Sequence, residues 1–582
     1  MMNLPLFPLL LLLPFLIAAC LRFDRDWSWT ASTLIGGSIV TLLAWGGAIF
    51  YGGEWSWEVT SLAHQLPIAF AFNPEGNMFA LAICTLWVCA SIYTTSYAKH
   101  HHIEAPARFY AYLTLAVGVA LAAAMADNLM TLFVCYECLT LVTYPLVLYR
   151  HTEAAYTAGR YYIITLVGMS LLTFLPCVLV VYAATGTTEF KPEGIVLGHM
   201  PPLTIALLWV GCVLGVAKTA VMPLHRWLLQ AMVAPTPVSA MLHAVVVVKV
   251  GLFTLLKIAT GTLGVVVMQY VRGGPSGWLL ASITYLALAS ALIAAIQAIR
   301  QDHLKRRLAY STISHLSQGV LAISLAPEAI RWLILSFIIS HGFAKIVLFF
   351  VAGTPGLDAR NLSVRRMEGV AYAMPWSMAC FTIASLSLVG LPPFAGFFVK
   401  EMIHGTLPTG QATILSMGLL TLSMLGVGYL IAVVVLAYRH QEFPAVRHEA
   451  PPGMRIAMMM TVTCLLAWSI ALPMWIAAPP SWSVGLVPGY FAAWYAADTV
   501  AHAIITVSVL AVAIGILYLQ RRWPLQLAFA WLEKGLHRVD EAMQHMPSLP
   551  AMATARVASV TLSDSTALLI LLAAIVVVAF MV

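Results

Sequence analysis

"LGVAKTAVMPLHRW" (residues 214–227) sets a lysine, Lys218, directly after the apolar run "LTIALLWVGCVLGVA" (203–217). If that run crosses a membrane, an ammonium stands at its end, where charge costs several kcal/mol unless something pairs or hydrates it. Composition decides the first half of the question. The chain has 582 residues, 61% hydrophobic and 9% charged, whereas soluble domains are about a quarter charged. Apolar stretches of membrane-spanning length, about 18–25 residues, recur from end to end, about sixteen in all. They lie near 4–21, 31–51, 76–97, 109–126, 127–149, 161–184, 203–221 and 237–258. They continue near 277–299, 307–325, 327–352, 373–400, 411–438, 455–478, 498–519 and 564–582. No polar interval between them is long enough to bury a core of its own. The chain reads as an all-α integral membrane protein.

The first segment, "MMNLPLFPLLLLLPFLIAAC" (1–20), looks like a secretory signal, but a signal needs a basic start. Its first basic residue, Arg22, follows the apolar run, so an uncleaved first helix is expected. Lys and Arg then set the orientation. Loops after odd-numbered spans carry Arg22, Arg25, Lys99, Arg108, Arg150, Arg160, Arg300, Lys305, Arg306, Arg307, Arg360, Arg365, Arg366, Arg439, Arg447, Arg455, Arg521 and Arg522. Loops after even spans hold chiefly Lys191, Arg272 and Arg331. By the positive-inside rule the basic loops face the cytoplasm of an inner (plasma) membrane. The net charge of +7 is therefore topology, and no basic tract suggests nucleic acid.

The nine cysteines are scattered. "CYEC" (135–138) offers two thiols on one helix, too few for an iron–sulfur cluster, and they read as small buried hydrophobes. The "HHH" at 100–102 lies in a basic loop and reads as solvated. No cofactor and no metal are expected.

Four places put charge into apolar runs: Glu137 in "DNLMTLFVCYECLTLVTYPLVLY", Lys218, Lys249 in "PTPVSAMLHAVVVVKVGLFTLLK", and the pair Lys345 and Lys400 in "SHGFAKIVLFF" and "SLVGLPPFAGFFVKEMI". The plain reading of any such lysine is snorkelling to an interface. Lys257 and Glu401, near span ends, fit it; Glu137, Lys218, Lys249 and Lys345 do not. A Glu among several Lys tunes proton affinities. His243 precedes Lys249 by six residues, and His341 is one helical turn from Lys345. Surplus lysine with histidine between reads as a proton relay rather than a structural ion pair. Two spans also look broken. "MVAPTPVSAM" (232–241) has Pro235 and Pro237, and "SLVGLPPFAGFF" (387–398) has Pro392 and Pro393 between Gly390 and Gly396. Proline frees carbonyls that must face protein or water at membrane depth, and paired breaks point to transporter-like inverted repeats.

At these residues a resemblance appears. "KTAVMPLHRWLLQAMVAPTPVSAMLHA", "DHLKRRLAYSTISHLSQ", "SHGFAKIVLFFVAG" and "GLPPFAGFFVKE" resemble, in order, the signature segments of the antiporter-like proton-translocating subunits. These include large membrane-arm subunits of respiratory complex I, the large subunits of Mrp-type cation/proton antiporters and those of membrane-bound hydrogenases. The resemblance covers roughly 70–440. It implies about fourteen core helices with two inverted five-helix repeats, discontinuous helices and a hydrated polar axis. It also implies roles: Glu137 as the fifth-helix glutamate pairing with and tuning Lys218 on the seventh, Lys249 on the eighth with His243, His341 and Lys345 on the eleventh, and Lys400 after the second break, with Glu401 beside it.

The expected organisation is N-terminal helices over 1–108, a first repeat over 109–258, a second over 277–438, further helices over 439–520, and a C-terminal segment over 521–582. That segment opens on "RRWPLQLAFAWLEKGLHRVDEAMQHM" (521–546), an amphipathic stretch like the lateral helix of distal complex I subunits, and ends in an anchoring span. At 1.5 Å per residue it would reach about 65 Å, enough to cross one neighbour; a plain interfacial helix accounts for it nearly as well. The leading function is proton conduction within a multisubunit ion-translocating complex of Mrp or hydrogenase-linked type. Its partners would be other membrane subunits, the lipid bilayer and protons, with Na⁺ or K⁺ as the counter-ion of an antiporter. The alternatives are a self-sufficient Na⁺/H⁺ antiporter and a complex I membrane-arm subunit. A redox subunit binding haem or quinone itself finds no support in the cysteines or histidines.

Overall fold

The computed structural model describes residues 6–477, apart from 24–26, 54, 62–65, 326–329, 358–361, 408–411 and 440–447. The expected spans at 498–519 and 564–582 and the amphipathic 521–563 lie outside the described residues. What is described is helical. We number the principal helices α1 (Leu6–Phe23), α2 (Trp27–Tyr51), α3 (Pro74–His100), α4 (Pro106–Ala124), α5 (Leu129–Val147) and α6 (Glu153–Thr185). Then come α7 in two pieces (Pro202–Gly215 and Arg226–Gln230), α8 (Thr236–Leu263), α9 (Gly277–Arg300), α10 (Leu304–Leu325) and α11 (Ile330–Ala352). The series closes with α12 in two pieces (Pro375–Val389 and Ala395–Gly405), α13 (Ile414–Ala437) and α14 (Pro452–Ala477). Ten helices of the described residues are long and apolar enough to cross a membrane.

Local chemistry starts these helices where the chain turns. Asn73 caps α3, its Oδ1 accepting from Gly76 N–H at 2.8 Å with Pro74 in the first turn. Asn128 caps α5 by accepting from Thr131 N–H at 2.7 Å, and Thr152 caps α6 by accepting from Ala155 N–H at 3.2 Å. Each satisfies a backbone donor that the first turn would otherwise leave unpaired. α8 and α11 are buried all round, whereas only 22% of the apolar window of α2 is buried. Helices uniformly apolar yet central belong to the core of a membrane bundle.

One feature was absent from the sequence reading. β1 (Ser56–Ser61) and β2 (Pro67–Ala71) form an antiparallel hairpin between α2 and α3. Ala69 N–H donates to Thr131 Oγ1 at 3.0 Å, and Asn128 Nδ2 donates to the Pro67 carbonyl at 2.9 Å. The hairpin thus ties onto the start of α5.

The breaks also differ from expectation. Pro235 precedes α8 and Pro237 stands in its first turn, so this pair starts a helix that already needs a beginning. The discontinuity lies earlier, in α7, between Gly215 and Arg226. There Lys218 occupies a single 3₁₀ turn (Ala217–Thr219), and Ala220 takes φ +54°. The freed backbone groups find partners: Trp227 Nε1–H donates to the Ala217 carbonyl at 3.0 Å, and Met222 N–H to Ser290 Oγ at 3.0 Å. The second break falls where the prolines put it. α12 stops at Gly390, in the left-handed region at φ +87°, passes Pro392 and Pro393, and resumes at Ala395. Ser469 Oγ of α14 accepts the Ala395 N–H at 2.9 Å.

The two pieces of α12 meet at Gly396, where an added Cβ would come 1.8 Å from the Ser387 carbonyl oxygen. Gly396→Ala is therefore expected to cost about 3 kcal/mol or more, since backbone cannot yield as a side chain does. Gly36→Ala, inside α2 with nothing within 4 Å, should be neutral to stabilising by up to about 1 kcal/mol. Thermal unfolding of the detergent-extracted variants checks both.

Candidate functional site

Both breaks and the central helices bring the expected residues into one buried row. Glu137 on α5, Lys218 in the α7 break, His243 and Lys249 on α8, His341 and Lys345 on α11 are each no more than 2% exposed. Lys400, on the second piece of α12, reaches back so that its ammonium donates to the Val389 carbonyl at 2.5 Å and to Ser423 Oγ at 3.2 Å. Val389 ends the first piece, so the break supplies the acceptor.

Lys218 is held differently from expectation. Its ammonium donates to the Tyr136 carbonyl at 2.6 Å and stands over the Tyr136 ring, 3.1 Å from its centre. Its backbone N–H donates to Tyr136 Oη at 3.2 Å. Glu137, although near enough to act electrostatically on Lys218, is not in ion-pair contact with it. The buried carboxylate, beside Ser170, makes no hydrogen bond of good geometry among the described residues. Carbonyl and ring together take the charge that the glutamate would otherwise pair. Gly251 of α8 permits this approach, since a Cβ there would lie 2.8 Å from Lys218 Cβ.

At mid-row, Lys249 Nζ and His341 Nδ1 are in direct contact. Lys345 is one turn on from His341, and its ammonium donates to Ser311 Oγ and, at 3.3 Å, to the Leu308 carbonyl. His243 packs its ring against Phe349, centroids 4.9 Å apart. The sequence reading passed over His315 on α10, within "STISHLSQ". Its ring centre is 5.1 Å from that of His341, and its Nδ1 is 2.7 Å from the Ser311 carbonyl. His315, Gln318, His341, Ser387 and Lys400 line a small cavity of about 20 Å³ between α11 and the second break, room for about one water. The clue available was a histidine in an apolar helix, the same that singled out His243.

Two residues assigned to interfaces are not there. Lys257 is 7% exposed and lies 3.7 Å from Glu75, which also meets Arg331 at 2.8 Å. Glu401 is likewise buried. Span-end position failed as a guide because the 186–201 connection folds over this end, with the Phe190 ring 4.8 Å from the Lys257 ammonium.

The site is thus a bundle of apolar helices, two of them broken, enclosing buried lysines and histidines. The family described as "NADH:quinone oxidoreductase/Mrp antiporter, TM" matches residues 126–428, slightly more than half of the sequence, and the chain belongs to that family. It is 28% identical over 452 residues to a component of a probable K(+)/H(+) antiporter of Rhizobium meliloti, covering 74% of this chain and 43% of that one. It is 29% identical over 370 residues to NAD(P)H-quinone oxidoreductase chain 5 of Synechocystis, covering 60% and 51%. NADH-quinone oxidoreductase subunit N of Desulforudis audaxviator is 28% identical over 466 residues, covering 77% and 90%. The chain thus spans about half the length of the first curated relatives it matches. A chain from the membrane-bound sulfane sulfur reductase, an archaeal respiratory membrane complex, shares the fold with TM-score 0.70 at 20% identity, over 84% of this chain and 98% of that one.

Because the Tyr136 ring and hydroxyl hold Lys218, Tyr136→Leu should let its ammonium move onto Glu137, and Tyr136→Phe should leave it over the ring. A structure of each variant checks this by the distance from Nζ to the carboxylate. An unmoved ammonium in Tyr136→Leu would assign the hold to the backbone carbonyl alone.

Proposed function

We propose that this chain is the proton-translocating membrane subunit of a multisubunit ion-translocating complex of Mrp-antiporter or hydrogenase-linked type. The observation that carries the reading is the continuity of the buried row: Lys249 against His341, His341 beside His315, and a cavity from there to Lys400. Glu137 and Lys218 load one end. A proton released by Lys218 passes to Lys249 and His341, with His243 alongside. From there it continues by Lys345 or His315 to Lys400. Each step exchanges a proton between nitrogen bases: in contact for Lys249 and His341, across the small cavity for His341, His315 and Lys400, and by intervening water from Lys218 to Lys249.

Two repeats, 109–258 and 277–438, form part of this reading. It is supported by a broken helix followed by a helix containing a π turn, which occurs twice: α7 then α8 (Ile258–Leu263), and α12 then α13 (Val427–Ile431). Breaks and π turns concentrate at functional positions in membrane helices. Exchange of Na⁺ or K⁺ belongs to the antiporter branch of the reading. The second reading, a complex I membrane-arm subunit, is favoured by the 90% coverage of the subunit N relative.

The relay is tested at Lys345. Lys345→Met and Lys345→Arg should both abolish proton pumping in the assembled complex, because guanidinium stays protonated at any accessible pH. Lys99→Arg, at the exposed end of α3, should pump as wild type. Normal pumping by a correctly assembled Lys345→Arg would remove Lys345 from the path. For orientation, cysteines introduced within 300–306 and 362–366 should react with impermeant thiol reagents only from the cytoplasmic side. Labelling from the opposite side would invert the topology.

A further inference from the structure

The charged cluster that the relay does not use lies at the other level of the same helices. Glu75 begins α3, Lys257 lies near the outer end of α8 and Arg331 begins α11; Glu75 joins the other two at 3.7 and 2.8 Å. Asp127, in the connection between α4 and α5, is close enough to feel Lys257, which opposes the upward push of burial on its carboxyl. All these residues flank loops that the distribution of basic residues puts outside. An ion cluster that is mostly buried contributes little net stability after desolvation, so its position has to be explained by something else.

That position is in register with the relay. Lys257, Phe253 and Lys249 follow one another at four-residue intervals along α8, about 12 Å from first to last. Glu75 and Phe79 are spaced the same way on α3. The Phe79 and Phe253 rings stack, centroids 4.7 Å apart and 26° between planes, and both are fully buried. One aromatic pair therefore separates the outer cluster from Lys249, which touches His341. On the cluster's side of the rings, Asn77 Oδ1 and Thr254 Oγ1 are buried with no hydrogen-bond partner among the described residues, polar atoms able to anchor water between the cluster and the apolar layer.

We propose that Glu75, Lys257 and Arg331 form an outward proton port onto Lys249, with the stacked Phe79 and Phe253 rings as its hydrophobic gate. The port rests on reading Lys249 as a proton site. With the rings stacked, the layer between the cluster and Lys249 is dry and excludes hydronium. When α3 and α8 separate by the width of a ring, water enters, and a proton leaves Lys249 for the outer face by way of Glu75. A cluster serving only to staple α3, α8 and α11 would be indifferent to the size of side chains one turn further in.

The assembled complex in vesicles under an imposed pH gradient tests this through passive proton leak. Phe253→Ala and Phe79→Ala, made separately, should each raise the leak about tenfold, whereas Phe253→Leu, which keeps the layer apolar and filled, should not. Adding Lys249→Met to either alanine variant should return the leak to the wild-type level. No leak, or a leak that survives Lys249→Met, overturns the port. The unmodified complex gives an independent reading: a water-soluble carbodiimide applied from outside should modify Glu75, detected by mass spectrometry, and failure to do so also overturns it. Lys345→Arg judges the relay without touching this layer, so a failed relay and a failed port give different patterns.

Discussion

The structure depends on a shortage: among the described residues five lysines (Lys218, Lys249, Lys257, Lys305 and Lys345) are buried against three carboxylates, Glu75, Glu137 and Glu401. Lys218, Lys345 and Lys400 solve it alike, by donating to a main-chain carbonyl: those of Tyr136, Leu308 and Val389. In an unbroken helix carbonyls are spent on the i+4 amide, and only a terminus, a break or a second acceptor direction leaves one for a side chain. Val389 is the last residue before the α12 break. Lys218 itself lies inside the α7 break, which lets its ammonium reach across to α5. The discontinuities are thus tied to charge placement, and a continuous α7 or α12 would leave these ammonium groups to lipid or to one another. A carbonyl also differs from a carboxylate in kind. It holds a cation by a dipole, so losing the proton leaves no buried counter-charge behind.

This constraint explains why Glu137 can stand apart from Lys218. With Tyr136 supplying a carbonyl and a ring, the ammonium has a resting place one residue from the glutamate, and the pair can open without stranding the cation. Ser170, where the helix of α6 widens into a π turn, stands beside the carboxylate. The proposed relay thus has, at Lys218, two alternative positions for one charge, close in space and different in electrostatic character.

Much of this could be read from the chain and some could not. The first fourteen spans are visible because membrane solvent demands long apolar runs, and the structure places a helix on each. Glu137, Lys218, Lys249, His341 and Lys345 stood out because charge in such runs is costly. The break in α7 was misplaced because "VAKTAV" is nearly all apolar and Pro235 and Pro237 carry the louder signal; the weaker Pro223 marked the true site. Lys257 was misassigned because distance along a helix measures depth only where nothing covers the end, and Phe190 and the 186–201 connection cover this one. The hold of Tyr136 on Lys218 joins residues 82 positions apart, and no periodicity reports a contact of that kind.

The two charged levels of α8 then follow from one geometric fact. A helix buried on all sides must carry its polar groups where neighbours offer partners, and α8 has two such neighbours, α11 and α3. α11 meets it at Lys249 through His341, and α3 meets it a little over two turns away at Lys257 through Glu75. Arg331 and His341 lie on α11 at the same two levels, so α8 and α11 are linked twice, once directly and once by way of Glu75. Between the levels the stacked Phe79 and Phe253 rings form an apolar layer beside the buried polar atoms of Asn77 and Thr254. A helix so clamped cannot tilt freely; movement at one level must strain or release the other, which mechanically couples the two charged levels.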